Sequence, residues 1–294
     1  MSEVLPLFKS HYSVGKSILT LYPQGSSDGT GPDSVIDICA DNKLDHFYLV
    51  DDSMTGFMEA YQNSLEAKID LRFGLIINIC SDVTVKNKDY NLLESKCVIF
   101  CKNRKGYEKL LDIASFASTE GFYYKPRIDY KYLNDNWCDE SLTLAIPFYD
   151  SFIHKNKFKM SNIVPDFSVI KPIFFLESND LPFDDTLREH VFKYCDNNYQ
   201  TQEVKSIYYK DRKDFEAYLT FRCISDSSPG RAKKTLSKPG FDHMCSNEFS
   251  FESWAEANKR TKSIALTRKK SPNTRKASGN TNKDYKELNE SYGI

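Results

Sequence analysis

Short apolar runs alternating with amphipathic segments constrain this chain more than any other feature in it. Residues 4–8, 46–50, 73–80, 97–101, 142–147, 173–176 and 203–208 read as seven strands by their length and their aromatic or β-branched content. Between several of them lie segments with helical periodicity: 35–43, 55–68, 105–119, 184–195 and 211–224. In the second of these, Phe57, Met58, Tyr61 and Leu65 recur at helical spacing. In the third, Tyr107, Leu110, Leu111, Ala114 and Phe116 or Ala117 form the inward stripe. No hairpin-turn signal joins neighbouring strands, so the pattern implies parallel pairing through right-handed crossovers. The expected fold class is α/β: a distorted β/α barrel of about seven parallel strands. A doubly wound nucleotide-binding sheet loses support, because no Gly-x-Gly-x-x-Gly or Gly-x-x-x-x-Gly-Lys loop follows a strand.

At 294 residues and 40% hydrophobic content the chain can bury a sizeable core. Its 40 basic residues nearly balance its 41 acidic ones, but residues 259–286 hold ten of the former and a single acid, Asp284. Without that stretch the remainder is acidic. This predicts a barrel domain over residues 1–258 and a basic, disordered tail over 259–294. In the tail, Arg268, Lys269, Lys270, Arg275 and Lys276 can neutralise phosphates and so contact DNA without reading its sequence. No apolar run reaches the roughly 20 residues needed to cross a bilayer, which predicts a soluble, intracellular chain with no membrane partner. The eight cysteines lack zinc-site spacing and read as reduced core residues.

In a β/α barrel the reactive groups stand on loops at the C-terminal ends of the strands. That rule selects Lys9 and His11, Asp51 and Asp52, Asn78, Lys102 and Asn103, Tyr149 and Asp150, Glu177 and Asn179, and Tyr208 and Tyr209. A multi-metal phosphoesterase site needs several converging His and carboxylate ligands, and this set holds a single histidine. Asp51, Asp52, Asp150 and Glu177 are the acids from which a hydrolytic site could be rebuilt. Asp51-Asp52 also reads as a structural turn with a helix N-cap role toward Thr55. The aromatic stretch 147–154 reads as an interaction surface or as a packed lid.

The stretch Gly121-Phe122-Tyr123-Tyr124-Lys125-Pro126-Arg127-Ile128-Asp129 combines stacked aromatics, cations, a proline and a carboxylate, the makings of a rigid loop in which Arg127 and Asp129 could pair locally. Its wording resembles the loop after the fourth barrel strand of the PHP (polymerase and histidinol phosphatase) domain in the bacterial DNA polymerase III alpha subunit. Other segments are similar to the same family: Cys101-Lys102-Asn103 with Gly106-Tyr107, Phe174-Phe175-Leu176-Glu177, and Asn247-Glu248-Phe249 with Ser253. The likeness covers about residues 4 to 257.

The resemblance implies metal-binding positions, and most are occupied by other chemistry. The family's His-x-His-Ser-x-Tyr-Ser places its two histidines on Leu7 and Lys9, while Ser10, Tyr12 and Ser13 match. Thr-Asp-His-Gly falls on Val50-Asp51-Asp52-Ser53, keeping Asp51 and putting Asp52 where the histidine stands. Gly-x-Glu falls on Gly74-Leu75-Ile76, and Asp-x-His on Ser206-Ile207-Tyr208. The resemblance thus implies a DNA-replication context, with a DNA polymerase or other replisome component as partner, a scaffold or split-polymerase role, and no cofactor. No palm-like segment follows the barrel, so the chain is not expected to polymerise DNA alone. The alternative is a phosphoesterase or 3′-5′ exonuclease using Mn, Mg or Zn at Asp51, Asp52, Asp150 and Glu177.

Overall fold

The computed structural model describes residues 3–13, 15–26, 29–87, 93–159, 161–225 and 245–270. One sheet of eight strands comprises β1 (Leu5–Phe8), β2 (His46–Asp51), β3 (Asp70–Cys80), β4 (Glu94–Cys101), β5 (Arg127–Asp129), β6 (Leu142–Ile146), β7 (Ile173–Leu176) and β8 (Thr201–Ile207). Seven of them close into a ring, β1-β2-β3-β4-β6-β7-β8 and back to β1, while β5 pairs with β3 outside it. Around the ring lie α1 (Val35–Asp41), α2 (Phe57–Glu66), α3 (Arg104–Ser118), α4 (Tyr130–Asp135), α5 (Phe152–Phe158), α6 (Asp184–Cys195), α7 (Phe215–Ser225) and α8 (Phe251–Lys270).

The barrel is the expected one with a mixed ladder: β4 runs antiparallel to both β3 and β6. Parallel pairing requires a crossover, usually a helix, and the described residues between β3 and β4, 81–87 and 93, contain none.

Register identifies the two faces of the ring. Leu5 sits beside Val204, Leu7 beside Ser206, Val50 beside Gly74, Ile76 beside Val98, and Ala145 beside Ile173. Leu7, Val50, Val98, Phe100, Ala145, Phe175 and Val204 form a separate apolar cluster with Leu5, Tyr48, Ile76 and Ile173 against it. A cluster drawing one face from every barrel strand is the barrel's filling. Gly74 makes room for it, since a Cβ there would lie 2.6 Å from Phe100 Cε1. The larger cluster, including Phe8, Phe47, Leu49, Leu75 and Ile99, lies between the outer face and the helices.

Two helical stripes differ from the sequence expectation. On α2 the buried residues are Ala60 and Ser64, whereas Met58, Tyr61 and Leu65 are exposed. Small side chains let this helix approach the barrel, and Phe57 anchors it by stacking on Tyr107 and meeting Phe73 edge-on. On α3, Gly106, Leu110, Ile113 and Ala117 face inward and Leu111 faces solvent.

The C-terminal region closes the domain. Trp254 Nε1 donates to Val4 O at 2.7 Å, and Arg212 reaches Glu248, Glu252 and Glu256, binding α8 to the start of β1 and to the turn before α7. Helix α8 extends to Lys270, so residues 259–270, expected to be disordered, are helical and carry Arg268, Lys269 and Lys270. Arg275 and Lys276 lie outside the described residues. Among the described residues no helix is long and apolar enough to cross a membrane. Among the described residues no cysteine forms a disulfide; Cys39, Cys80, Cys97, Cys101 and Cys195 are buried as expected, whereas Cys138 and Cys223 are half-buried and Cys245 is exposed, so these three are not core residues.

Candidate functional site at the barrel mouth

The mouth is formed where β1, β2, β3, β6, β7 and β8 end and where the reversed β4 begins. Leu7 and Ile76, at two implied ligand positions, belong to the apolar filling below it. Above that filling the inner face turns polar. Lys9 follows Leu7 by two residues, Asn78 pairs with Lys96, and Ser206, Tyr208 and Glu177 complete the layer. Because β4 is reversed, Lys102 and Asn103 fall at the opposite end of the barrel. There Lys102 Nζ donates to Asp139 O and Asn103 Oδ1 caps α3 through Gly106 N, so neither is a mouth residue.

Asp51 is fully buried and shares the outward face with Leu49 through its register with Leu75. Its Oδ1 accepts from Ser10 N at 2.9 Å and Ser13 Oγ at 2.7 Å, and its Oδ2 from Ser10 Oγ at 2.5 Å. The retained serines thus saturate the retained acid and pin the loop after β1. Asp52 is exposed, and its N–H donates to Ser13 Oγ. It does not cap toward Thr55, whose N–H reaches Ser53 Oγ at 3.4 Å, and α2 has Gly56 at its N-cap position, with no side-chain cap.

Glu177 Oε1 accepts from Ser206 Oγ at 2.9 Å, and Oε2 accepts from Asn179 Nδ2 at 2.9 Å and Ser206 N at 3.1 Å. Burial raises its pKa in spite of these donors. Asn179 continues the network to Tyr149 and Asp184, since its Nδ2 donates to Tyr149 Oη and its N–H to Asp184 Oδ2. Asp150, at φ +59°, holds Lys96 Nζ at 2.7 Å through Oδ2, and its N–H donates to His154 Nδ1 at 2.9 Å. Burial works to raise the Asp150 pKa, but the Lys96 ammonium outweighs it and holds the carboxyl well below the usual range. Phe148, Phe152, Ile153 and His154 are buried, so the aromatic stretch 147–154 is a packed lid.

Asp51, Asp150 and Glu177 therefore each have their own local role, while the Asp52 side chain stands exposed. Among the described residues no group of three or more His, Cys, Asp and Glu side chains could hold a metal ion. The groups at the implied ligand positions do not fit one: two are apolar, one is an ammonium, and the retained carboxylate is saturated by hydroxyl and amide donors.

The mouth also gathers cations, of which strand-end reasoning finds Lys9 and misses Lys16, Lys96 and Arg222. Burial lowers the Lys9 pKa against the pull of Asp51, Asp52 and Asp150, and Lys96 adds to the lowering. Burial brings Lys16 down to about 8, with Arg222, Lys96 and Lys9 pressing the same way. Arg222 comes from α7 and donates to Gly15 O at 2.6 Å. Lys16 lies in a loop, Lys96 on the reversed strand and Arg222 on a distant helix, so no local motif connects them.

The loop 121–129 is a rigid buttress beside the mouth. Arg127 is buried: Nε donates to Gly121 O at 3.2 Å, Nη2 to Val83 O at 3.0 Å, and Nη1 lies 3.4 Å from Glu94 Oε1, while its guanidinium sits over the Tyr123 ring. Lys125 Nζ reaches the other oxygen of Glu94 at 2.7 Å. Arg127 thus pairs with Glu94 rather than with Asp129, which caps α4 through Tyr132 N and accepts from Val83 N. Pro126 O accepts from Asn78 Nδ2, and Tyr124 stands exposed at φ +60°. Gly121 is required sterically, since a Cβ there would lie 2.0 Å from Arg127 O.

The fold is an α/β barrel with a ring of seven strands and one strand outside it. Residues 24–168 match the PHP domain family, and the chain carries that domain there. Its curated relatives are DNA polymerase III alpha subunits. It is 33% identical over 84 residues to that of Helicobacter pylori strain 26695, a match covering 29% of this chain and 7% of that protein. It is 30% identical over 89 residues to that of Borreliella burgdorferi, covering 29% and 8%. A third match, to the Chlamydia pneumoniae subunit, is 56% identical over 32 residues, covering 11% and 3%. The matched segments span less than a tenth of each relative.

Proposed function

We propose that this PHP-type barrel serves DNA replication as a scaffold or accessory that docks a DNA polymerase or another replisome component, and that it performs no metal-dependent hydrolysis. The observation that carries the second half is the state of its acids: Asp51 is committed to Ser10 and Ser13, Asp150 to Lys96, and Glu177 to Ser206 and Asn179. Similarity to polymerase III alpha subunits supports the first half. The basic stretch that begins on α8 adds a salt-sensitive contact to DNA in this reading.

The test has two arms. Elemental analysis and nuclease assays with Mn²⁺, Mg²⁺ and Zn²⁺ should find neither bound metal nor cleavage, and affinity purification should recover a polymerase subunit. Metal-dependent cleavage that disappears in a folded Glu177→Gln variant would defeat the scaffold reading and favour a rebuilt phosphoesterase.

A further inference from the structure

We propose that the tip of the 121–129 loop is a docking point for an acidic peptide segment of a partner protein, anchored by the exposed ring of Tyr124 and steered by the lysines around it. This names a contact and its chemistry, and it stands whether or not the partner is a replisome component.

Tyr124 is the strained tip of a braced loop. Its φ of +60° lies in the left-handed region, which a bulky side chain enters only where the surrounding structure holds it there. Both neighbours do the holding. Tyr123 N–H donates to Lys125 O at 3.2 Å across the turn, the Arg127 guanidinium sits 5.3 Å from the centre of the Tyr123 ring, and Lys125 is drawn to Glu94. With its flanks fixed, Tyr124 is thrust outward and is 74% exposed, its ring meeting that of Tyr123 edge-on at 4.7 Å. Burial of the ring therefore does not offset the strain, and a glycine would adopt the same φ without it.

The ring has apolar company. Phe122, Val85 and Leu93 are also exposed, and Arg127 joins their segments, donating through Nε to Gly121 O and through Nη1 to Val85 O, and pairing with Glu94, which follows Leu93. Three stretches of chain thus surround one pre-positioned aromatic. That is the arrangement of an interface anchor, in which a fixed tyrosine loses little freedom on binding.

The charges indicate what the patch accepts. Lys86 follows Val85, Lys125 follows Tyr124, Lys131 acts on Asp82, and the field of Lys125 reaches Lys155 on α5. The exposed acids that flank these segments in the chain are Asp82, held by the N–H and hydroxyl of Thr84, and Glu120. Glu94 and Asp129 are buried, the first at Arg127 and the second at the start of α4. Cations thus outnumber exposed acids here, which favours a partner segment bearing carboxylates beside apolar anchors. Clustered lysines also attract nucleic acid, but Val85 and Leu93 are aliphatic and give bases no stacking surface, so a peptide suits the patch better.

The experiment uses the full chain and, as probe, a fluorescein-labelled peptide in which leucine and phenylalanine alternate with glutamate, read by anisotropy. Saturable binding is expected, weakened roughly tenfold or more by Tyr124→Gly and by the double variant Lys86→Glu with Lys131→Glu. Tyr124→Gly should at the same time leave the unfolding temperature unchanged or raise it, since strain is released. The proposal is overturned by a lower unfolding temperature in Tyr124→Gly, which would make the ring a packing residue, or by unchanged peptide affinity in that variant. Equal binding of the same peptide with lysine in place of glutamate overturns it, as does an absence of saturable binding at millimolar peptide. A single-stranded oligothymidylate that binds more tightly than the peptide and is lost in Tyr124→Gly overturns it in favour of nucleic acid. Because the probe is a defined peptide, failure here is distinct from failure of the scaffold reading, which is decided by cleavage and copurification.

Discussion

Arg127 and Glu94 meet inside the protein, each with a side chain only 1% exposed, at 3.4 Å between Nη1 and Oε1. The pair links β5 and its preceding loop to the first residue of β4, two elements that share no ladder. Arg127→Met would leave Glu94 buried with Lys125 alone, and should cost about 3–5 kcal/mol. Lys125→Ala, at the more exposed side of the same carboxylate, should cost about 1 kcal/mol or less. Urea unfolding of the two variants checks the order.

Asp51 behaves in this structure as an anchor. Asp51→Ala strands the donors of Ser10 and Ser13 and should destabilise the fold by about 2–4 kcal/mol. Metal content measured alongside should not change. A fall in bound metal at unaltered stability would reverse the assignment.

Glu177 should carry a pH dependence of definite sign. Its folded pKa is raised by burial, so the folded protein holds the proton more tightly than the unfolded chain does. Stability from this group is greatest at low pH and declines as pH rises from the ordinary carboxylate value through the folded one. Glu177→Gln should flatten that decline in denaturant midpoints taken from about pH 4 to pH 7, while Glu177→Ala should destabilise at every pH because Ser206 and Asn179 lose their acceptor.

Asp150 should show the opposite slope. With its folded pKa depressed beside Lys96, its contribution is complete above the ordinary carboxylate value and is lost as pH falls toward the folded one. Lys96→Met should remove this acid-side loss, visible as a flatter midpoint profile below about pH 4.

Gly74 is a packing requirement of the barrel filling. Gly74→Ala should cost about 1–3 kcal/mol through collision with Phe100. Phe100→Leu in the same chain should recover part of that loss in thermal unfolding, whereas equal losses in the single and double variants would show that the contact is not the cause.

The strand positions are legible in the sequence because buried strands read as apolar runs whichever way they point. Their direction is not: β4 runs antiparallel to β3 and β6, and the same apolar residues serve both directions. That one reversal misplaces Lys102 and Asn103 and hides Lys96. The loop 121–129 stands out by composition, yet the partner of Arg127 does not, because Glu94 lies 33 positions away in the chain and its acid carries no local signal. Leu7, Lys9 and Ile76 at the implied ligand positions can be read directly by resemblance. What Asp51 does there needed coordinates, since a carboxylate gripping a metal and one gripping two hydroxyls are written with the same letter.

β3 is the alignment rod of the molecule. Its eleven residues set the pairing of β2 along the lower half and of β4 and β5 along the upper half. A slip of one position would drive a bulky neighbour of Gly74 into Phe100, part Asn78 from Lys96 and uncouple the outrigger strand, all at once. Misregistered assembly of this barrel is thus penalised in three places by a single strand, so the chain has little opportunity to settle into a nearly correct ring.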